Sequence, residues 1–92
     1  MGSGTNDVDP WETAAVRYRL GDVVRAKVVR LSRFGIFVEL EPGIEGLVHI
    51  SELTDRPIAG PEEVVGVGDE MSLKVLQVDA LQRRIGLSRK RV

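Results

Sequence analysis

The chain has 92 residues, 42% hydrophobic and 29% charged, with a formal net charge of -1; that length and composition fit one compact core and exclude a multidomain enzyme within these residues. No apolar stretch approaches the roughly 20 residues that cross a bilayer, and no basic-then-apolar leader opens the chain. With no cysteine and one histidine, a disulfide framework, a thiolate metal site and a histidine cage are all out of reach, so no metal or other cofactor is expected.

A charge near zero argues at first against a nucleic-acid binder. Three of the 14 acidic residues, Asp7, Asp9 and Glu12, precede every Lys and Arg, however, so from Arg17 onward 13 basic residues face 11 acidic ones. That leaves room for a locally basic face on a nearly neutral domain.

In chain order, residues 1–8 carry Gly2, Ser3, Gly4, Thr5 and Asn6 with no apolar period and are expected to be a disordered leader or a cloning remnant. Residues 9–19 are expected to form a short helix or linker: Asp9 as N-cap, Pro10 at the first helical position and Glu12 completing a capping box. Trp11, Ala15 and Tyr18 fall at helical spacing and are expected to form a narrow apolar stripe lying on whatever follows, with its own barrel or a neighbour left open as the support. The domain proper is expected over 20–92. Val24, Ala26 and Val28 alternate with Arg25, Lys27 and Val29 as a first strand. Ile36, Val38 and Leu40 mark a second, closed by the turn at Glu41, Pro42 and Gly43. Gly46 to Ile50 is the third, with Val48 and Ile50 inward.

Leu53 to Gly68, punctuated by Pro57, Gly60, Pro61 and Gly66, is a long connection in which Pro61 to Val64 can form one helical turn. Met71 to Asp79 is the fourth strand, with a bulge expected where Leu76 and Val78 break the alternation. Arg84 to Ser88 is the fifth, with Ile85 and Leu87 inward. The pairs Gly21-Asp22 and Gly68-Asp69 each precede a Lys-Val pair at the same interval, Lys27-Val28 and Lys74-Val75, which reads as one turn chemistry used twice in a single sheet. Five short strands with no long helix between them must hide their edges, and a small closed antiparallel barrel does so.

No catalytic constellation is present: Ser51 and His49 are expected on opposite faces with no third group, and the glycines match neither a phosphate loop nor a dinucleotide fingerprint. Phe34 and Phe37 flank Gly35. An isolated Phe is ordinarily core, but Ile36, Val38 and Leu40 fill the inward seats and leave Phe37 facing out; Gly35 permits the twist that brings Phe34 to the same surface. Two outward rings make a base-stacking platform. His49 alternates outward beside them, Arg84 faces out from the last strand as a phosphate or stacking partner, and Asp79 ends the fourth strand next to that turn.

The strings Phe34-Gly35-Ile36-Phe37-Val38 and Gly43-Ile44-Glu45-Gly46-Leu47-Val48-His49-Ile50-Ser51-Glu52-Leu53, followed by Gly68-Asp69, Val78-Asp79 and Ile85-Gly86-Leu87-Ser88, resemble the S1-type RNA-binding domain, an OB-fold family named after ribosomal protein S1. The resemblance spans Gly21 to Arg91. It implies an all-β, five-stranded antiparallel OB-fold barrel, with the short N-terminal helix and a helical turn between strands 3 and 4, whose RNA face is Phe34, Phe37, His49, Asp79 and Arg84. Arg33, Lys27 and Arg83 are expected to add charge contacts, and the variable turn before Arg84 leaves Arg83 and Arg84 as alternatives for the main arginine. Two positions depart from the family pattern: Ala26, where glycine is frequent, and Arg33, where an acidic or polar residue is common.

The expectation that follows is a non-catalytic, cytoplasmic and monomeric module that binds single-stranded RNA with little sequence preference. Its expected setting is one repeat of a ribosomal protein S1 engaged with mRNA during translation, and it has no membrane partner. Docking to the ribosome, to neighbouring repeats or to a protein is the alternative, favoured by the low charge and by an N-terminal helix expected to expose Trp11. An RNA-holding appendage of an RNA-processing enzyme is a further one.

Overall fold

Alternating apolar residues in the computed structural model, which describes Trp11 and residues 17–92, close into a barrel of five strands. They are β1 (Val23–Ser32), β2 (Gly35–Glu41), β3 (Ile44–His49), β4 (Glu70–Asp79) and β5 (Arg84–Ser88). The order around the barrel is β1-β2-β3-β5-β4, and β4 returns to pair with β1, so no edge is left for another chain to extend. The expected all-β OB-type barrel is therefore present, with one refinement: β3 and β5 run parallel, whereas the other pairings are antiparallel. Parallel neighbours need a long crossover, and the connection from Ile50 onward together with β4 provides it.

Inside the barrel, Val28, Ile36, Val38, Ile44, Val48, Leu73, Val75, Ile85 and Leu87 are all but inaccessible to solvent, each such side chain contributing roughly 1.5–3 kcal/mol of burial. The third strand starts two residues earlier than the alternation indicates, because Ile44 is an inward residue. It also ends one residue earlier: Ile50 opens a 3-10 turn, Ile50–Glu52, instead of continuing the strand. Gly46 is where the barrel can shut, since a Cβ there would lie 2.6 Å from Leu87 Cδ1 and 2.9 Å from the Ile85 carbonyl oxygen. The expected helical turn in the long connection is a 3-10 turn at Pro61–Glu63.

The repeated Gly-Asp pairs do matching work on opposite sides of the β1–β4 ladder. Gly21 N–H donates to Val75 O and Val75 N–H to Asp22 O, each at 2.8 Å; Gly68 N–H donates to Val28 O and Val28 N–H to Asp69 O, again at 2.8 Å. Each aspartate side chain accepts from the backbone N–H three residues earlier, Asp22 from Arg19 at 3.1 Å and Asp69 from Gly66 at 2.8 Å. One turn thus terminates both ends of the same strand pair.

The leader 1–8, the cap residues Asp9, Pro10 and Glu12, and Ala15 lie outside the described residues. Trp11 and Arg17 are helical, and Trp11 lies on its own barrel: it is 6% accessible, joins the core cluster, and donates from Nε1 to Gly43 O at 3.0 Å. An indole buried with its N–H satisfied is tied to its own barrel. The Arg17 guanidinium reaches Glu41 at 2.7 Å and the Tyr18 hydroxyl donates to the same carboxylate at 2.8 Å. At the other end, the fully buried Ser88 hydroxyl donates to Glu52 Oε1 at 2.7 Å, and Arg91 Nε donates to the same oxygen at 3.1 Å.

Candidate nucleic-acid interface

Register decides which side chains share the outer surface. Arg30 on β1 pairs with Phe37 on β2, Phe37 with Leu47 on β3, Leu47 with Gly86 on β5, and Gly86 with Gln77 on β4. Phe37 therefore stands in an outward row that crosses the barrel, and it is half-buried by its neighbours. The guanidinium carbon of Arg30 lies 4.2 Å from the centre of its ring, a close cation–π contact.

Gly86 contributes no side chain to the middle of that row, so the surface dips between Leu47 and Gln77. Two adjoining clefts result. One, of about 270 Å³, is lined by Arg30, Phe37, Glu45, Leu47, Gln82, Arg83 and Arg84 among others. The other, of about 310 Å³, is lined by Leu47, His49, Glu52, Leu76, Gln77, Asp79, Gln82, Arg84 and Gly86 among others. Leu47, Gln82, Arg84 and Ile85 border both.

The sequence-derived candidates divide on this geometry. Phe37, Arg84 and Arg83 meet in the first cleft, and His49, Asp79 and Arg84 in the second. Phe34 is 62% exposed in the turn before β2, with the Arg33 guanidinium carbon 5.5 Å from its ring centre, and it lines neither cleft. Its backbone is fixed: Phe34 O accepts from Ile50 N–H at 2.8 Å and Phe34 N–H donates to Ser32 Oγ at 3.2 Å. Gly35 makes the turn possible, since its φ is +154° and a Cβ there would collide with the Val48 carbonyl oxygen.

Lys27 is the candidate the fold sets apart. It sits a row away from Phe37, between Glu39 and Glu70 in register, and lines neither cleft.

His49 and Ser51 do not point apart as expected, because the chain turns at Ile50. Ser51 N–H donates to His49 Nδ1 at 3.2 Å and the Ser51 hydroxyl lies 2.9 Å from the same nitrogen. A ring nitrogen that accepts places the proton of the neutral imidazole on Nε2, which leaves an N–H donor at the far edge of the ring. Asp79 Oδ1 accepts from Gln82 N–H at 3.1 Å and so shapes the β4–β5 turn, where Arg83 adopts a left-handed φ of 56°. Asp79 is paired with Arg84 in register, but Arg84 forms no ion pair among the described residues.

Arg30, Leu47, Gln77, Gln82 and Glu45 were not legible as site residues. Strict alternation from Val28 places Arg30 inward; Val29 is an extra residue between Val28, paired with Val38, and Arg30, paired with Phe37. That bulge turns the guanidinium out over the ring. Glu52 is held below its ordinary range mainly by the Ser88 hydroxyl, with Arg91 assisting. Glu41, which lines neither cleft, is lowered by Arg17 and Tyr18.

Residues 17–90 match the family model described as S1 RNA binding domain. The chain is 50% identical over 82 residues to the small ribosomal subunit protein bS1 of Mycobacterium leprae, covering 89% of this chain and 17% of that protein. It is 46% identical over 80 residues to the 4-hydroxy-3-methylbut-2-enyl diphosphate reductase of Clostridium acetobutylicum, covering 87% and 12%. The chain thus spans less than a fifth of either relative. Among solved structures, it resembles GSP13 from Bacillus subtilis with a TM-score of 0.76 and 40% identity over 80% of this chain and 57% of that one. A chain of the a/eIF2alpha-aDim2p-rRNA complex from Pyrococcus horikoshii OT3 matches with a TM-score of 0.76 and 34% identity, covering 80% and 45%.

Proposed function

The chain belongs to the S1 RNA binding domain family, and from that membership and its outer face we propose a non-catalytic module that grips single-stranded RNA with low sequence specificity, as one repeat of a bacterial ribosomal protein S1 holding mRNA in the cytoplasm during translation. The observation that carries the reading is the single surface on which a half-buried Phe37, Arg30, Leu47, His49 and Arg84 converge on two adjoining clefts. A nucleobase stacks on Phe37. Arg84, bordering both clefts with no ion pair among the described residues, takes the phosphate between two nucleotides, with Arg83 beside it. His49 offers its Nε2–H in the second cleft, and Asp79 accepts from a base edge or holds the turn. Phe34, with Arg33, catches a base beyond the clefts, and Lys27 acts only at long range.

Support comes from the bS1 relative and from the structural neighbour determined with rRNA. With Trp11 buried, the low charge is the feature left in favour of a protein-docking role. Titration of a fluorescein-labelled single-stranded RNA at low salt tests the proposal. Base–aromatic stacking is worth roughly 1–3 kcal/mol, so Phe37→Ala should weaken binding by about fivefold to 150-fold. No binding by the natural chain, or equal binding by a folded Phe37→Ala variant, would overturn it.

A further inference from the structure

Glu45 stands in the cleft built around Phe37 and is unexplained by a grip on phosphates. It lies two residues before Leu47 on β3, and the pairings Phe37 with Leu47 and Glu39 with Glu45 make it the diagonal outer neighbour of Phe37. Diagonal neighbours on a sheet face are within reach of long side chains. Arg30, Arg83 and Arg84 line the same cleft, yet the Glu45 carboxylate has no hydrogen bond or ion pair among the described residues. Arg30 lies over the Phe37 ring, 4.2 Å from its centre. A carboxylate there repels every RNA backbone alike, which costs affinity unless it discriminates among bases.

An ionised carboxylate only accepts hydrogen bonds, through two oxygens side by side. A base lying on Phe37 turns an edge toward it, and single-stranded bases are read on their Watson–Crick edges. Guanine presents two adjacent donors on that edge, N1–H and N2–H, which fit the two oxygens together. Uracil offers one N–H between two carbonyls. Adenine and cytosine each offer an amino group beside a ring lone pair, which faces the second oxygen repulsively. We propose that Glu45 makes the Phe37 cleft selective for guanine, by a paired hydrogen bond to N1–H and N2–H of the stacked base. The inference rests on the RNA-binding reading and adds to it a graded preference at one nucleotide.

The experiment measures fluorescence anisotropy with labelled octauridine and with the same strand carrying one central guanosine or one central inosine, which lacks the N2 amino group. The natural chain should bind the guanosine strand about 2- to 13-fold more tightly than the inosine strand, the range for the net contribution of one added hydrogen bond. Glu45 is exposed, so Glu45→Ala should fold normally. In that variant the guanosine-to-inosine ratio should fall to one while octauridine binds more tightly, because the repulsion has gone. A ratio retained in Glu45→Ala, or equal affinities for all strands in the natural chain, overturns the guanine assignment and leaves RNA binding standing. Absence of binding to any strand at low salt overturns both.

Discussion

Replacing Arg30 by threonine should weaken RNA binding at low salt and strengthen it at high salt. The guanidinium rests over the Phe37 ring, where a base would stack, so binding must first displace it. A cation–π contact at an exposed site is worth about 0.5–1 kcal/mol, an obstacle of roughly twofold to fivefold. Once displaced, the arginine can meet a phosphate. Each such contact on a single strand adds about 0.7 to the negative slope of log affinity against log salt, so, with 1 M salt as reference, its benefit is roughly eightfold at 50 mM and about 1.6-fold at 0.5 M.

The two effects oppose one another and only the second depends on salt. Arg30→Thr should therefore bind about 1.5- to 3.5-fold more weakly at 50 mM, match the natural chain between roughly 0.1 and 0.3 M, and bind about 1.4- to 3-fold more tightly at 0.5 M. Threonine keeps a strand-compatible residue at this position. Anisotropy titrations of labelled octauridine across that salt range measure the crossing. Parallel salt dependences would show that Arg30 meets no phosphate. A reduced slope with weaker binding throughout would show that the guanidinium stays in the stack with the base, and the reasoning would fail.

Tyr18 is the sole tyrosine, and burial, with its hydrogen bond to Glu41, pushes its phenol up to about 12 from an ordinary value of 10.0. An acid raised on folding contributes stability that is present below pH 10.0 and lost as pH rises toward about 12; phenolate absorbance should therefore have its midpoint near the upper value, and a midpoint near 10.0 would contradict the buried contact. Ser88→Ala removes the hydroxyl that holds Glu52 low, which should cost roughly 1.5–3 kcal/mol in urea unfolding at neutral pH. Because Glu52 is depressed on folding, that contribution is full above its ordinary value of 4.5 and is lost as pH falls through the lower folded value. The gap between the natural chain and the variant should narrow there, and a gap independent of pH would assign the effect to packing alone.

Much of the barrel was legible because burial on one face writes a period of two into the chain. Val24, Ala26 and Val28, Ile36 and Val38, Ile85 and Leu87 all face inward or lie largely buried. The bulge in β4 was legible for the same reason, since Leu76 and Val78 interrupt the alternation; the register slips between Val75 and Gln77. The bulge in β1 was not, because Val29 is apolar and nothing local marks it as extra. With it went Arg30. The parallel contact of β3 with β5 joins Leu47 to Gly86 and Val48 to Leu87, a pairing of residues distant in the chain that no local period encodes. The support of Trp11 was not legible because the Gly43 carbonyl that accepts its N–H belongs to a turn 32 residues away. The Phe37, His49 and Arg84 face was legible from alternation and resemblance, whereas the separation of Phe34 and Lys27 from the clefts depends on how the strands align.

Amide chemical shifts of the isotopically labelled chain, followed as a short single-stranded RNA is added at low salt, test the central proposal most directly. The account predicts that the largest changes run across the barrel through Phe37, Leu47, Gly86 and Gln77 and extend to His49 and Arg84. Changes confined to the contacts of Trp11, Tyr18, Glu41 and Gly43, which line neither cleft, or no changes at all, would contradict it.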